Sequence, residues 1–583
     1  MQYPTLTEQA TTRQMIDVFR GYNHNLRIGD GEFYDMKNLT SAHYPVLSPR
    51  EARGLYASPS SAQGLIAKDT ICYVDGPDFV MNGYPIHMGL STAEEDCPKK
   101  LVSMGAYVII LPDKMWINTA SKPEEPQFGK IEAEHVSSDN VTFELCTIEG
   151  SPYNATPSAS APTDPENMTL WIDTSSKPHA LKQYSSVSST WVSIPTTYIR
   201  IYSTGIDKAF EQYDGVTISG VKDERLQDLN ASMVIWAKGE NYIVVTGMLD
   251  GKIIQSSEED GAIRFERKMP EMDFIVESGN RLWGCRYGPT ANGQVVNEVY
   301  ASKLGDFKNW NCFMGVSTDS YAASLGTDGQ FTGAITHLGY PIFFKENCLH
   351  KVYGNFPSNF QIQTTACRGV QRGSEKSLAI VNEVLYYKST QAVCAYDGSL
   401  PTEISSALGE VQYGNAVAGG HGNRYYISMQ DAAGAYHLFC YDAAKGMWHK
   451  EDNTHADAFC SARDVMYYID HEDGSIKTIA GGDGIVEWMA ETGVIGITIP
   501  DQKYVSRILL RMALAMGSTV RVYAQYDSIG VWESVCVLTG TSLRSFTIPI
   551  RPKRCDHMRL RIEGEGEAKL YSITKTIEQG SDF

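Results

Sequence analysis

Two successive stretches of the chain decide its fold: AITHLGYPIFFKENCLHKVYG at residues 334–354 and LAIVNEVLYYKSTQAVCAYDG at residues 378–398. Each contains a short apolar run, a turn with Gly or Asn, a run rich in aromatic residues, a polar turn and a third run. Short apolar runs bounded by turn residues are typical of β-strands. Both stretches are therefore predicted to form small antiparallel sheets.

The same pattern recurs along the chain at a regular interval. Its central turn lies at Gly339, Asn382, Gly422 and Asp464, with spacings of about 43, 40 and 42 residues. Four-stranded propeller blades repeat at about 40–45 residues, so the sequence predicts a β-propeller of six or seven blades. The other stretches with this pattern are GLIAKDTICYVDGPDFVMNGYPIHM (64–88), LVSMGAYVIILPDKMWIN (101–118), FIVESGNRLWGCRYG (274–288), AVAGGHGNRYYISMQ (416–430) and FCSARDVMYYIDHEDGSIKTI (459–479).

Length and composition indicate an all-β protein with several folded units. The 583 residues exceed what one hydrophobic core supports, roughly 250–300, and 33 Tyr with 51 Gly favour strands and turns. The predicted segments are an N-terminal arm with a short helix (1–24), two propeller parts (25–120 and 266–494), an inserted small β-barrel or sandwich (121–265) and a C-terminal jelly-roll-like β-sandwich (495–583).

The non-propeller segments are predicted from local patterns. Thr5 and Glu8 form a capping-box pair, and Met15, Ile16 and Phe19 follow at helical spacing, which predicts the N-terminal helix. The insertion lacks the repeat. After about residue 495, apolar and polar residues alternate strictly, which is typical of a half-buried antiparallel sheet.

Charge is distributed unevenly along the chain. The formal net charge of −19 argues against a protein that wraps nucleic acid, because that binding needs Lys and Arg to neutralise phosphates. From Asp501 onward there are 12 basic and 9 acidic side chains, a net of +3, which leaves −22 on the remainder. This basic segment is interpreted as either a solvated face or a subunit contact. The candidate contact residues are Arg544, Arg551, Lys553, Arg554, Arg559 and Arg561.

The sequence contains no H-E-x-x-H or G-x-S-x-G motif, no phosphate-binding loop and no EF-hand loop. Asp470-His471-Glu472-Asp473 is the densest group of metal-ligand types, and it is interpreted as an exposed acidic turn. The twelve scattered Cys are predicted to be buried thiols. We therefore expect no enzyme activity, no catalytic residue, no metal, no cofactor and no membrane segment.

Three further stretches resemble proteins of phages and prophages of gut bacteria: residues 21–50, 171–194 and 559–582. The second, WIDTSSKPHALKQYSSVSSTWVSI, is similar to the Trp-x-Asp-x-Ser…Trp segment of phage tail and fibre modules. That similarity implies a candidate glycan-binding or fibre-like module at Trp171, Asp173 and Trp191. The other two stretches, with a propeller between them, resemble the tail-hub or packaged-DNA stabilisation proteins below the portal of short-tailed phages.

The resemblance implies a structural virion protein of the tail, assembled in the bacterial cytoplasm. Its expected partners are further copies in a ring and the portal, adaptor and fibre proteins, while translocating DNA passes without tight binding. One alternative is a tail protein that binds a host-surface glycan. A second is a propeller glycosidase; sialidases repeat a Ser-x-Asp-x-Gly-x-Thr-Trp turn, from which residues 324–331 depart in spacing and in the Trp.

Overall fold

The computed structural model describes residues 11–92, 98–153, 155–176, 179–224, 226–247, 256–290, 293–497, 499 and 502–579. Strands make up 54% and helices 3%, so the predicted all-β class is confirmed. None of the helices in these ranges is long and apolar enough to cross a membrane. The described cysteines are all free thiols, and most of them are buried; Cys97 lies outside the described ranges.

The strands between residues 11 and 130 are β1 Thr11–Ile16, β2 Gly21–Tyr22, β3 Glu32–Lys37, β4 Leu39–Thr40, β5 Ser48–Pro49, β6 Ala52–Ala57, β7 Ala62–Ala67, β8 Ile71–Asp75, β9 Asp78–Met81, β10 Tyr84–His87, β11 Lys100–Met104, β12 Tyr107–Leu111, β13 Met115–Asn118 and β14 Gln127–Lys130. The next strands are β15 Ala133–Val136, β16 Val141–Cys146, β17 Ala155–Ser158, β18 Leu170–Asp173, β19 Ala180–Ser185, β20 Thr190–Ser193, β21 Tyr198–Tyr202, β22 Gly215–Ser219, β23 Ser232–Gly239, β24 Tyr242–Thr246, β25 Ser256–Glu259 and β26 Arg264–Arg267.

The second half contains β27 Phe274–Ser278, β28 Arg281–Pro289, β29 Val295–Ala301, β30 Tyr321–Ser324, β31 Gly333–His337, β32 Tyr340–Lys345, β33 Cys348–Tyr353, β34 Gln361–Ala366, β35 Ala379–Val381, β36 Val384–Lys388, β37 Val393–Tyr396, β38 Thr402–Glu403, β39 Tyr413–His421, β40 Arg424–Asp431, β41 Tyr436–Asp442, β42 Met447–Lys450, β43 Ala456–Ala462, β44 Val465–Asp470, β45 Ile476–Gly482 and β46 Glu487–Thr492. The last strands are β47 Lys503–Leu514, β48 Thr519–Tyr526, β49 Glu533–Thr539, β50 Arg544–Ile548, β51 Arg554–Cys555, β52 Met558–Glu565 and β53 Ala568–Gln579. The helices are single turns: α1 Ile206–Ala209 and the 3-10 turns Gln227–Leu229, Pro357–Asn359, Glu375–Ser377 and Ser406–Leu408.

Each of the seven repeated stretches lies in a set of four antiparallel strands; in the sixth stretch, these four strands are part of a ten-stranded sheet. We number these sheets along the chain: sheet 1 is β7–β10, sheet 2 is β11–β14, sheet 3 is β27–β30, sheet 4 is β31–β34, sheet 5 is β35–β38, sheet 6 is β39–β42, and sheet 7 is β43–β45 with β6. Sheet 2 includes β14, so the insertion begins about ten residues later than the predicted boundary at 121.

The first strand of each sheet lies next to the first strand of the following sheet. Strand β7 contacts β11, β11 contacts β27, β27 contacts β31, β35 contacts β39, and β39 contacts β43. Between sheets 4 and 5, β31 contacts the 3-10 turn Glu375–Ser377 that precedes β35, and β43 of sheet 7 contacts β7 of sheet 1. Sheet 7, the last along the chain, therefore contacts sheet 1.

The fourth strand of sheet 7 comes from the opposite end of the chain. Strand β6 pairs antiparallel with β45, with Ala57 opposite Ile476. Beside it, Arg53 donates to Glu451 Oε2 and lies 3.0 Å from Asp452 Oδ2. Because these partners lie about 400 residues further along the chain, the pairing joins the N-terminal segment to sheets 6 and 7.

The inserted module consists of two sheets around one hydrophobic core. Its larger sheet has eight strands in the order β15-β26-β22-β23-β24-β21-β16-β25, and the smaller one is β17–β20. Residues of both sheets, including Phe143, Ile172, Leu181, Ile201 and Phe265, belong to a single buried cluster. The larger sheet therefore curls around a core that the smaller sheet also covers.

The C-terminal strands build a second module together with strands from the N-terminal segment. One sheet has the order β1-β53-β47-β50 with β51 beside β47; the other continues sheet 6 through β2-β3-β46-β52-β48-β49. Both sheets contribute to one hydrophobic cluster. We call this unit the terminal module. It includes residues 32–37 and 487–492, whereas the sequence predicts that both ranges belong to the propeller parts.

The predicted N-terminal helix is wrong for the described residues. Thr11–Ile16 is a strand, and all six residues pair with β53, from Thr11 opposite Glu578 to Ile16 opposite Ile573. The long strand β53 has an edge that needs hydrogen-bond partners, and this tertiary pairing outweighs the helical spacing of the apolar side chains. The capping-box residues Thr5 and Glu8 lie outside the described residues.

Candidate binding site

A cavity of about 630 Å³ opens at one end of sheets 3, 4 and 5. In an antiparallel sheet, the start of the first strand, the end of the second and the start of the third lie at the same end. These three positions of sheet 3 line the cavity, together with the segments that precede the first strands of sheets 4 and 5. It is lined by Asp273, Phe274, Arg286, Tyr287, Gly288, Pro289, Val295, Gln330, Phe331, Thr332, Arg372, Gly373 and Glu375.

Arg286 and Asp273 form a fixed ion pair in the wall. Arg286 Nη1 donates to Asp273 Oδ1 over 2.7 Å, and the backbone N–H of Tyr287 donates to Asp273 Oδ2 over 2.8 Å. Both carboxylate oxygens of Asp273 are thus occupied, whereas Arg286 Nε is buried and has no hydrogen-bond partner among the described residues. One buried guanidinium nitrogen of the wall is therefore unpaired within the described part of the chain.

Lys345 lies behind the aromatic lining of the cavity. Only 2% of the residue is exposed, and its Nζ donates to Asn297 Oδ1 (3.1 Å) and to the Thr327 carbonyl (2.8 Å). The ammonium is also 5.0 Å from the ring centre of Tyr287 and 4.7 Å from that of Phe331. Burial lowers the pKa of Lys345. When protonated, this amine adds positive potential behind the two rings.

Arg372 stands at the rim and has an exposed side chain. Its backbone N–H donates to Glu346 Oε1, which positions the residue, and no carboxylate among the described residues lies within ion-pair distance of its guanidinium. Together with Arg286 and the aromatic wall, this arrangement can bind a ligand that carries negative charge and flat apolar surfaces.

Sequence reasoning missed these residues, although the repeat contains a signal for one of them. Lys345 ends β32 of sheet 4, and Lys388 ends β36 of sheet 5, 43 residues later. Lys388 is equally buried, its Nζ donates to Gln371 Oε1 over 3.1 Å, and burial lowers its pKa to about 8. A lysine that recurs inside an apolar strand at the repeat interval marks a buried, hydrogen-bonded cation.

Trp171, Asp173 and Trp191 lie together in the smaller sheet of the inserted module. Trp171 is 6% exposed, donates from Nε1 to the Ser158 carbonyl, and has its ring centre 5.3 Å from that of Trp191. Asp173 accepts from Lys182 Nζ over 2.7 Å, and the hydrogen bonds from Lys182 and a nearby serine lower its pKa to about 2. Trp171 and Asp173 thus hold this sheet together, and Trp191 is only half-buried.

Two of the six basic residues proposed for subunit contact are paired within the chain. Arg559 lies 3.2 Å from Glu491 and stacks over Tyr34, and Arg561 lies 2.9 Å from the same carboxylate and stacks over Trp532. Both side chains therefore fasten β52 to β46 and to neighbouring aromatic rings.

The other four basic residues are exposed, on β50 and on the segment that follows it. Arg544 donates to the Thr539 carbonyl over 2.6 Å, which holds it near the end of β49. Lys553 pairs with Glu533, the first residue of β49. The Arg551 carbonyl accepts from Tyr526 Oη at the end of β48, and Arg554 is the first residue of β51, which pairs with β47.

The acidic turn is stabilised by a lysine. Lys477 Nζ is 2.8 Å from both Asp470 and Asp473, and Glu472 donates its backbone N–H to Asp470. His471 instead faces Asp457 on the neighbouring strand. Of the four residues in this turn, only His471 belongs to a group of side chains that could hold a metal ion in the described part of the chain.

No protein-family model and no curated protein matches this sequence. An acylaminoacyl peptidase of Pyrococcus horikoshii is 11% identical over 50% of this chain, with a TM-score of 0.23, and the match spans 47% of the peptidase. A GH43 glycoside hydrolase is 9% identical, with 53% of this chain and 97% of that one covered and a TM-score of 0.19. Trypanosoma rangeli sialidase is 7% identical, with 90% of this chain and 95% of the sialidase covered and a TM-score of 0.17. These similarities are too weak to support an argument about fold or function.

Proposed function

We propose that this chain is a non-enzymatic structural protein of a phage tail. In this proposal sheets 1–7 are the blades of a closed seven-bladed propeller, and several copies form a ring around the DNA channel. The ring, of hub, nozzle or stopper type, connects the portal and adaptor to the distal tail. The negative charge of the chain outside residues 501–583 suits a passage through which DNA moves without tight binding.

The observation that carries the proposal is the exposed edge of the terminal module. Strand β49 is the last strand of its sheet and pairs only with β48 among the described strands. On and beside it, Val537 is 59%, Val531 59% and Ile529 66% exposed. An apolar edge strand with free backbone groups is a template for pairing with another chain. Arg544 and Arg551 lie in the same part of the module.

The charge distribution supports a second copy as the partner. The segment that contains β49 has a net charge of +3 and the rest of the chain −22. A basic edge is attracted to an acidic surface elsewhere on an identical molecule, which is a head-to-tail contact. Such a contact repeats from copy to copy and gives a closed ring when the rotation per subunit closes.

A reconstruction of the particle that contains this chain tests the proposal directly. We expect a closed ring between portal and tail tip, with the terminal module of one copy against the body of the next and a channel wide enough for duplex DNA. A single copy at the periphery, facing outward, would contradict it.

In solution, Val537→Lys is expected to raise the protein concentration for half-assembly about tenfold or more, because the contact would bury an unpaired charge. Light scattering during chromatography measures this shift. Val187→Lys is the matched control, since Val187 is 95% exposed and lies in the inserted module. If both variants associate like the unsubstituted protein, β49 is not the contact.

The cavity favours a second candidate function, the binding of an acidic glycan on the host surface. We expect Arg372→Ala to weaken binding of a uronic-acid-containing hexasaccharide about tenfold, because one charge-assisted hydrogen-bond donor is lost. Arg368→Ala is the control, since Arg368 is exposed, pairs with Glu403 and does not line the cavity. Calorimetric titration measures both affinities. No binding by the unsubstituted protein would eliminate this candidate.

A further inference from the structure

Two imidazoles and one carboxylate meet at one end of sheet 7. His455 immediately precedes β43, Asp457 is the second residue of that strand, and His471 immediately follows β44. One potential ligand atom from each of these three side chains lies within 4.8 Å of the other two. Two histidines and an acid at such distances are a common donor set for transition metals.

Strand pairing explains why the three side chains meet. Ala456 lies opposite Asp470, and the backbone N–H of His471 donates to the His455 carbonyl over 3.0 Å. The two imidazole ring centres are consequently 3.9 Å apart. The register slips between Ala456 and Ala458, so Asp457 is a bulge residue with no partner on β44.

The bulge leaves the carboxylate close to one nitrogen of each ring. Asp457 Oδ1 is 2.9 Å from His471 Nδ1 and 3.9 Å from His455 Nε2. The ring of Tyr436 stacks on His455 with centres 3.5 Å apart and an interplanar angle of 11°, which fixes the orientation of that imidazole. Lys376 Nζ donates to the backbone carbonyl of Asp457 and not to its carboxylate.

Of the three side chains, His455 and Asp457 are half-buried. His471 is exposed, so it can rotate by the small amount that metal bonds require. A tetrahedral zinc ion with bonds of about 2.0–2.2 Å holds its ligand atoms roughly 3.3–3.6 Å apart, so this rotation has to bring the three atoms closer together.

We propose that His455, Asp457 and His471 bind one divalent transition-metal ion of the zinc class. Two nitrogen donors favour Zn²⁺ over Mg²⁺ and Ca²⁺, which prefer sites made entirely of oxygen ligands. Three protein ligands leave a fourth position for water or for a group from another molecule. The ion joins the start of β43 to the turn after β44. This inference does not depend on the proposed place in a tail.

Calorimetric titration of the full chain with ZnCl₂, after treatment with a chelator, tests the site. We expect one equivalent of Zn²⁺ to bind, and His471→Ala to weaken that binding at least about tenfold, since even groups that only orient metal ligands change affinity 10- to 100-fold. Asp457→Asn, which keeps the shape of the side chain, is expected to weaken it as well. A Co²⁺ spectrum without thiolate charge-transfer bands will separate this site from the cysteines.

His87→Ala is the matched control. His87 is exposed and its Nδ1 lies 2.7 Å from Asp78 Oδ1, so it forms a histidine–aspartate pair outside any three-ligand group found among the described residues. This variant is expected to bind Zn²⁺ like the unsubstituted protein. The proposal is overturned if the unsubstituted chain binds no Zn²⁺, if His471→Ala and Asp457→Asn retain full affinity, or if Mg²⁺ competes at equal concentration.

Discussion

Arg53→Ala is expected to lower the free energy of unfolding by about 3–5 kcal/mol, because it removes one partner from a buried ion network. Arg53 Nη2 lies 3.0 Å from both Glu451 Oε2 and Asp452 Oδ2, and its Nη1 donates to Tyr468 Oη over 3.2 Å. The Glu451 side chain is only 4% exposed. Without Arg53, the cation left within ion-pair distance of Glu451 among the described residues is Arg50, whose Nε is 3.6 Å away.

The pKa directions agree with this description. Burial raises the pKa of Glu451 even though Arg53 and Arg50 oppose the shift. Burial would also raise the pKa of Asp452, but Arg53, a hydrogen bond from Thr454 and Arg50 together hold it below its ordinary value. The two carboxylates thus depend on the arginines of the N-terminal segment for compensation of their charge.

Urea unfolding measures the loss, and hydrogen–deuterium exchange locates it. Exchange is expected to rise first in β6 and β45, whose pairing Arg53 supports. Lys37→Ala is the matched control: Lys37 and Glu487 are 3.3 Å apart but 47% and 71% exposed, so the change should stay within about 0.5 kcal/mol.

Adding Glu451→Gln to Arg53→Ala removes the more buried of the two carboxylate charges that Arg53 compensates, and the double variant should regain part of the lost stability. If the free energy of unfolding of Arg53→Ala stays within about 1 kcal/mol of that of the unsubstituted protein, the ion network does not stabilise sheet 7.

The sequence predicted local strand patterns well, because each repeated stretch contains the apolar runs and turns of its own sheet. The runs around Gly339 and Asn382 became β31–β33 and β35–β37 without any long-range information. Distant partners were not predictable in the same way. Nothing in residues 52–57 indicates that they pair with β45, and the apolar spacing of Met15 and Ile16 suits a helix as well as an edge strand.

The candidate sites likewise divide into residues with a local sequence signal and residues that long-range structure brings together. Lys345 could have been recognised from its recurrence at Lys388, because a charged residue inside a repeated apolar strand is a local feature. The His455, Asp457 and His471 group depends on a bulge that shifts the register by one residue, and no local pattern predicts where a bulge falls. The cavity similarly requires three sheets to converge, with residues about 100 positions apart in the chain.

Gly21→Ala is expected to lower the free energy of unfolding by about 2–5 kcal/mol and to separate the terminal module from sheet 6. Gly21 has φ +82°, a conformation that costs other residues about 1–2 kcal/mol. A Cβ at this position would also overlap the carbonyl oxygen of Trp448, and forced repacking adds about 1–3 kcal/mol. Strand β2 lies between β42 and β3, so it cannot move without breaking one of these pairings.

Gly105→Ala separates the conformational cost of a side chain at positive φ from the cost of steric overlap. Gly105 also has a positive φ, +54°, but a Cβ there would meet no atom within 4 Å, so only the conformational cost of about 1–2 kcal/mol applies. Urea unfolding followed by tryptophan fluorescence compares the variants. We expect two transitions for Gly21→Ala, because β2 is the strand that joins sheet 6 to the terminal module in their continuous sheet. Equal losses in the two variants would show that the contact with Trp448 does not couple these units.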